Sequence, residues 1–187
     1  MNVDLFTSWN LIRISGFVSY FLITFSISAG LLSRLSFLQR HKALLMESHQ
    51  VSGWIGFLIT LFHMLMLLID NYVPYQIWEL FIPFGSSYHP VFSGFGTIAL
   101  YFFFLTLLTS DFFIKKMGRQ VWKKVHLLVI PSWILMVLHS ILIGTDTEQP
   151  WASFMYGGSI LLVISLMLLR YIEGRYIAMK MQNQKRY

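Results

Sequence analysis

Residues 126–139 read H-L-L-V-I-P-S-W-I-L-M-V-L-H, an uncharged and mostly apolar run closed at each end by an imidazole. A run this apolar prefers lipid to water, whereas an imidazole in lipid is costly unless it is neutral and its ring nitrogens have partners. The stretch therefore predicts a membrane-buried helix and asks what its two histidines do there. The whole chain agrees with the first half of that reading. Its 187 residues are 56% hydrophobic and 12% charged, with a mean hydropathy of +0.64, against about 25% charged in ordinary soluble domains.

A bilayer core about 30 Å thick takes roughly 20 apolar residues per helix. Five windows of that kind lie between charged residues, at about 11–32, 50–69, 91–112, 125–144 and 153–169. They predict an all-α membrane bundle forming one domain, followed by a short basic tail at 170–187. The stretch 70–90 contains Q-I-W-E-L-F-I-P-F and is interrupted by Pro74, Pro83 and Gly85. It is too short to cross and reads as an interfacial segment anchored by Tyr75 and Trp78.

Charge placement orients these spans. The basic residues fall after the first span (Arg34, Arg40, Lys42), after the third (Lys115, Lys116, Arg119, Lys123, Lys124) and after the fifth (Arg170, Arg175, Lys180, Lys185, Arg186), leaving Arg13 alone elsewhere. The loops at 70–90 and 145–152 contain no Lys or Arg, and five of the eight acidic residues lie there or in the N-terminal tail. Because short basic loops stay in the cytoplasm, the N-terminus is expected outside and the C-terminus inside. The net charge of +6 is thereby a consequence of topology and gives no reason to invoke nucleic acid; the tail would lie against anionic lipid headgroups. Cysteine is absent, which excludes disulfides, thiolate metal sites and cysteine nucleophiles. With Asp4 and no basic residue before Arg13, the N-terminus lacks the basic region of a cleavable signal and is expected to be retained.

Four of the six histidines belong to two spans: His49 and His63 to the second, His126 and His139 to the fourth. Both spans run in the same sense, so the rings sort by depth. Separations of 14 and 13 residues are about 21 Å and about 20 Å along a helix axis, which makes two levels of paired imidazoles. A single such histidine reads as a packing residue, but two matched pairs do not. Neutral imidazole ligates iron, and two rings facing across a gap between helices would hold a haem iron from both sides, as helix bundles build cofactor sites. The second nitrogen of each ring then needs an acceptor, which fixes its tautomer. Thirteen residues are about 3.6 turns, which would turn His139 away from His126; Pro131 between them is expected to kink the helix and restore the phase. His41, in R-H-K, is expected to be solvated, and His89 to be a turn residue before Pro90.

The pattern H-x13-H, followed two spans later by H-x12-H, occurs with R-I-S-G at 13–16, H-Q-V-S-G at 49–53 and V-W-K-K-V-H at 121–126. Together these resemble the ferric reductase-like transmembrane family, which includes NADPH oxidases, ferric reductases and the haem-binding subunit of periplasmic methionine sulfoxide reductase. The resemblance implies two haem b groups, an inner one held by His49 and His126 and an outer one held by His63 and His139. It also implies that Arg13 lies near the outer haem, where its charge would pair with a propionate or favour an arriving electron. Gly53 and Gly56 would let a porphyrin approach the second span or serve ordinary helix contacts; Trp133 and Phe57, at intermediate depth, read first as packing or lipid-facing residues and otherwise as filling between the two levels; Lys123 and Lys124 would face inner propionates or a donor, or simply supply positive-inside charge.

Oxidases and ferric reductases of this kind carry FAD and NADPH modules after the last helix. Here fewer than twenty residues follow it and no glycine-rich dinucleotide fingerprint occurs, so neither an FAD nor an NADPH site is expected. The electrons would come from a separate flavoprotein reductase or from membrane quinol and pass to an extracytoplasmic acceptor such as Fe(III), oxygen or a reductase. The chain would then be the oxidoreductase component of a bacterial cytoplasmic membrane. Two other functions fit the same histidines: a quinol-oxidising cytochrome b-type subunit, and a cofactor-free transporter with a histidine-lined proton or metal path.

Overall fold

The computed structural model describes residues 7–184; Asp4, Lys185 and Arg186 lie outside the described residues. Among the described residues there is no strand. The helices are α1 (Ser8–Leu32), α2 (Lys42–Leu68), the five-residue α3 (Ile77–Phe81), α4 (Pro90–Leu108), α5 (Ile114–His126), α6 (Val129–Ile143) and α7 (Pro150–Gln184). A 3₁₀ segment, Ser36–His41, leads into α2, and one π-helical turn, Thr109–Phe113, joins α4 to α5.

Cross-helix bonds fix the packing. His63 reaches Ile12 and His49 reaches Ser26, so α2 runs antiparallel to α1. Likewise His139 reaches Phe92 and Ser132 reaches Ala99, so α6 runs antiparallel to α4. Stacking of Phe57 on Phe104, with Trp54 bonded to Asp111, sets α2 antiparallel to α4. Hence α2 and α6 share one direction, as the depth ordering of the histidines requires. α7 runs alongside α1, with Tyr20 bonded to Ser159 near the middle and Ser36 to Glu173 at the basic end.

Four helical stretches are long and apolar enough to cross a membrane: Ser8–Leu32, Ser36–Leu68, Pro90–Ile143 and Pro150–Gln184. The sequence reading counts five spans, and the difference lies in the third stretch, whose 54 residues contain two of them. Its basic middle, which the charge pattern treats as a break, is itself an amphipathic helix. The reversal is made inside it at Gly118, whose φ of 76° is a conformation only glycine adopts freely. Beyond the fifth window the chain is also still helical, through Gln184.

The α1–α2 contact is close because its residues are small. A Cβ on Gly53 would meet Ser26 Oγ at 3.1 Å, and one on Gly56 would meet Ile23 at 3.0 Å. These glycines therefore seat α1, the ordinary use of small residues between membrane helices, and do not open a porphyrin face. The buried hydroxyls of α1 do not compete for partners, since Ser15, Ser19, Ser28 and Ser33 donate to carbonyls three or four residues back. The packed core lies at mid-depth and includes Tyr20, Ile23, Phe57, Leu100, Phe103, Trp133 and Val137. Trp133 Nε1 donates to Thr24 Oγ1 at 3.0 Å, tying α6 to α1. By contrast Phe21, Phe154 and Leu161 are 60%, 86% and 69% exposed, an outward apolar surface that only lipid covers without penalty.

The 70–90 stretch is organised by one carboxylate. Glu79, buried after the start of α3, accepts the Gln76 N–H at 2.7 Å and, through its other oxygen, the Ser87 N–H and hydroxyl, both at 2.8 Å. His89 adopts a left-handed conformation before Pro90, which opens α4: the turn residue expected. His41 is exposed, also as expected. The Gln76 backbone bond, then those from Ser87, hold the Glu79 carboxyl below its ordinary pKa of 4.5. A depressed carboxyl stabilises the fold above its unfolded pKa, and that stabilisation disappears as pH falls through the folded value. Hydrogen exchange of residues 76–88 in detergent should therefore accelerate below about pH 4.5, and Glu79→Gln should abolish this pH step; a wild-type segment whose protection stays constant down to pH 2 would contradict the assignment.

Candidate functional site

Each of the four span histidines uses Nδ1 to hold the neighbouring helix. His49 Nδ1 lies 2.8 Å from Ser26 O, His63 Nδ1 2.9 Å from Ile12 O, and His139 Nδ1 2.8 Å from Phe92 O. A carbonyl only accepts, so in each of these rings Nδ1 carries the proton. In a neutral imidazole the Nε2 lone pair is then free for a ligand.

The fourth ring reaches the same state by another route. His126 Nδ1 lies 3.2 Å from Ser110 Oγ, whose own proton goes to Thr106 O at 2.7 Å. Trp122 Nε1, a donor only, takes one Ser110 lone pair at 3.1 Å. The remaining lone pair accepts from His126, which again places the proton on Nδ1.

Why the backbone carbonyls are accessible follows from what stands one turn later. The acceptors Ile12, Ser26 and Phe92 are each followed four residues on by a glycine: Gly16, Gly30 and Gly96. A Cβ on Gly16 would lie 3.4 Å from the His63 ring, on Gly30 3.1 Å from the His49 ring, and on Gly96 2.8 Å from the His139 ring. Each glycine thus leaves uncovered the carbonyl one turn earlier, and the imidazole lies in the gap. Of these three, the sequence reading singles out Gly16 alone. Every glycine has a carbonyl one turn earlier, so nothing local in the sequence marks Gly30 and Gly96.

The rings meet in two places. At the end of the bundle that carries the basic residues, His49 and His126 have ring centroids 6.1 Å apart and planes 74° apart. Toward the acidic end, His63 and His139 line one cavity together with Gly16, Gly96, Thr60 and Arg13. The guanidinium of Arg13 is engaged bidentately by Asp146, in the α6–α7 turn, through a 2.6 Å Nε–H bond and a second bond from Nη2. Arg13 therefore lines the same cavity as His63 and His139, already carrying a counter-charge. Trp133 and Phe57 lie in the packed core between the levels. Lys123 and Lys124 are exposed on α5.

The chain between His126 and His139 is broken before Pro131 and is not kinked within one helix. His126 ends α5, and α6 begins at Val129. Proline has no N–H to give the Leu127 carbonyl, and that carbonyl is taken by Ile130 N at 3.1 Å instead, while Leu128 N bonds to Val125 O at 2.9 Å. Such i to i−3 bonds overwind the chain toward 3.0 residues per turn, about 20° extra per residue. Pro131 itself falls in the first turn of α6, where its missing donor costs little.

Among the described residues no group of three or more His, Asp or Glu is placed to hold a bare metal ion. The carboxylates at the acidic end are largely committed: Asp70 to Ser8 and the Tyr72 and Val73 N–H groups, Glu79 to its own loop, Asp146 to Arg13.

With this arrangement in view, comparison with known proteins gives one positive result. The family described as "Ferric reductase like transmembrane component" matches residues 15–137. The match covers well over half of the chain, and the protein belongs to that family of transmembrane electron-transfer domains. It includes His49, His63 and His126, and its limits leave Arg13 and His139 just outside. No curated protein and no solved structure matches the chain.

The carbonyl seat is testable without any ligand. Gly96→Ala should force the His139 ring off Phe92 and destabilise the bundle by about 1–3 kcal/mol, read as a lowered thermal midpoint in detergent. Gly157→Ala, where an added Cβ meets nothing within 4 Å, should be neutral. Equal midpoints for the two variants would show that the ring does not occupy the gap.

Proposed function

We propose that this chain holds two haem b groups, one between His49 and His126 and one between His63 and His139, and carries electrons across the cytoplasmic membrane. The observation that carries the reading is the common state of the four rings: every Nδ1 is committed to a neighbouring helix, and every Nε2 is left to ligate. The spacing of the first pair supports it. Two metal–imidazole bonds of about 2 Å, each extended by roughly 1 Å to the ring centre, require centroids about 6 Å apart, and His49 and His126 stand at 6.1 Å. Haem supplies a one-electron Fe(III)/Fe(II) couple in such a setting.

The chain's own residues do the remainder. The α1 and α4 backbones orient the ligands, so little reorganisation is needed when the charge on the metal changes. The mid-depth aromatic core around Phe57, Phe103 and Trp133 keeps water from the space between the levels. Arg13 places a positive charge at the outer cavity, where Asp146 holds it in position and a propionate or other anion would complete its donors. The basic residues around α5 put the inner pair on the cytoplasmic side, with the N-terminus outside.

Electrons would enter at the inner pair from a separate flavoprotein or from quinol, and leave at the acidic end to an acceptor such as Fe(III), oxygen or a reductase. Ferric reduction is the leading assignment. The committed state of Asp70, Glu79 and Asp146 favours a chelated or diffusing acceptor that touches the outer cavity over capture of bare Fe(III) by free carboxylates. A histidine-lined proton or metal path is the less supported reading, because each Nδ1 proton is bonded into the scaffold and does not face a channel.

Dithionite-reduced-minus-oxidised spectra of the purified protein should give sharp b-type bands at about two haems per chain. His139→Ala should remove about half of that haem and spare the rest, and His49→Ala should do the same for the other half. A colourless protein, or full haem content in both variants, would overturn the ligand assignment.

A further inference from the structure

The fourth histidine seat differs from the other three in its acceptor: serine hydroxyls also approach His49 Nδ1 at 3.0 Å and His63 Nδ1 at 3.4 Å, but those rings have a carbonyl as well, whereas His126 has the Ser110 oxygen. His49, His63 and His139 donate to carbonyls left open by a glycine four residues later. For His126 the corresponding pair is Thr106 and Ser110: the glycine position holds serine, whose hydroxyl bonds to the Thr106 carbonyl at 2.7 Å and offers its own oxygen to His126.

The backbone around it supports a specific placement. Ser110 and Asp111 lie in the π-helical turn Thr109–Phe113, a form that is rare and occurs mostly at functional sites. The extra residue lets these consecutive side chains face different neighbours. Ser110 reaches Trp122 and His126, while Asp111 accepts from Trp54 Nε1 on α2 at 2.5 Å.

We infer that Ser110 is the positioning residue for His126 and makes it the most weakly basic of the four ligands, setting the inner haem apart from the outer one. The inference rests on the di-haem reading. Its physical basis is the acceptor. A ligand imidazole gains basicity from the acceptor on its far nitrogen. The Ser110 oxygen is shared with Trp122 and stands at 3.2 Å, whereas the three carbonyls stand at 2.8–2.9 Å. His126 therefore pushes less electron density toward a bound iron, and its ferric form is less stabilised.

The test is a spectroelectrochemical titration of the intact protein in detergent, with wild type, Ser110→Ala, Ser110→Gly and Ser110→Thr compared. Alanine removes the hydroxyl while its Cβ still covers the Thr106 carbonyl, so the midpoint potential of one haem should move positive and that of the other should stay. Glycine also uncovers the Thr106 carbonyl, to which Thr109 Oγ1 still donates at 3.2 Å, and offers His126 that acceptor, so the same haem should titrate at a more negative potential than in Ser110→Ala. Threonine keeps the hydroxyl and should restore the wild-type value. Two haems with unchanged potentials in Ser110→Ala, or the same shift for alanine and glycine, would overturn the inference. If Ser110→Ala fails to assemble, a glycine variant whose potential is equal to wild type overturns it, and one displaced to negative values upholds it. A wild-type protein without two haems would instead overturn the di-haem reading.

Discussion

A neutral imidazole inside a membrane must have a partner for its N–H, and for His49, His63 and His139 the partners are backbone carbonyls of the adjoining helix. That requirement organises the rest. A carbonyl within a helix already accepts one bond and is normally shielded by the side chain one turn later; a glycine at that position exposes its second lone pair. The bonds from His49 to Ser26, His63 to Ile12 and His139 to Phe92 all depend on this. They are also the bonds that clamp α2 to α1 and α6 to α4. Imidazole orientation and helix pairing are thus the same set of contacts, so a change that loosens the bundle at these levels also turns the rings.

Between the two levels the protein is closed by large apolar side chains, and at both ends it is polar. The mid-depth core is tied across the bundle by Trp133 to Thr24 and by Tyr20 to Ser159. The acidic end is drawn together by Ser8 on Asp70 and Arg13 on Asp146. Fixed electrostatics at the ends and an apolar middle suit the transmembrane electron transfer of this family.

The sequence makes much of this legible, for reasons that can be stated residue by residue. Apolar windows and the placement of Lys and Arg locate the helices, because lipid imposes length and the positive-inside rule imposes sign. The count differs where α5, basic but helical, continues the chain through a charged turn that reverses at Gly118. The pairing of His49 with His126 follows from depth alone and is met in the structure by a 6.1 Å centroid separation. Pro131 does not kink one continuous helix: α5 ends at His126, α6 begins at Val129, and the Leu127 carbonyl that proline cannot serve is taken by Ile130 N. Gly53 and Gly56 lie close to His49 in sequence but face α1, and the histidine-facing glycines are on other helices. A glycine's neighbours across a helix interface are not encoded locally, so Gly30, Gly96 and Ser110 were out of reach of a reading by spans.

The account stands on imidazole pairs presenting Nε2 to a shared metal, with the His49 and His126 rings steeply inclined to each other. Electron paramagnetic resonance of the oxidised protein tests this directly. If these two rings hold the proposed haem, their planes, 74° apart, should give a low-spin ferric signal of the strongly anisotropic type that near-perpendicular ligand planes produce, and His126→Ala should remove it. A high-spin haem signal in the wild-type protein, or no haem signal at all, would contradict the account.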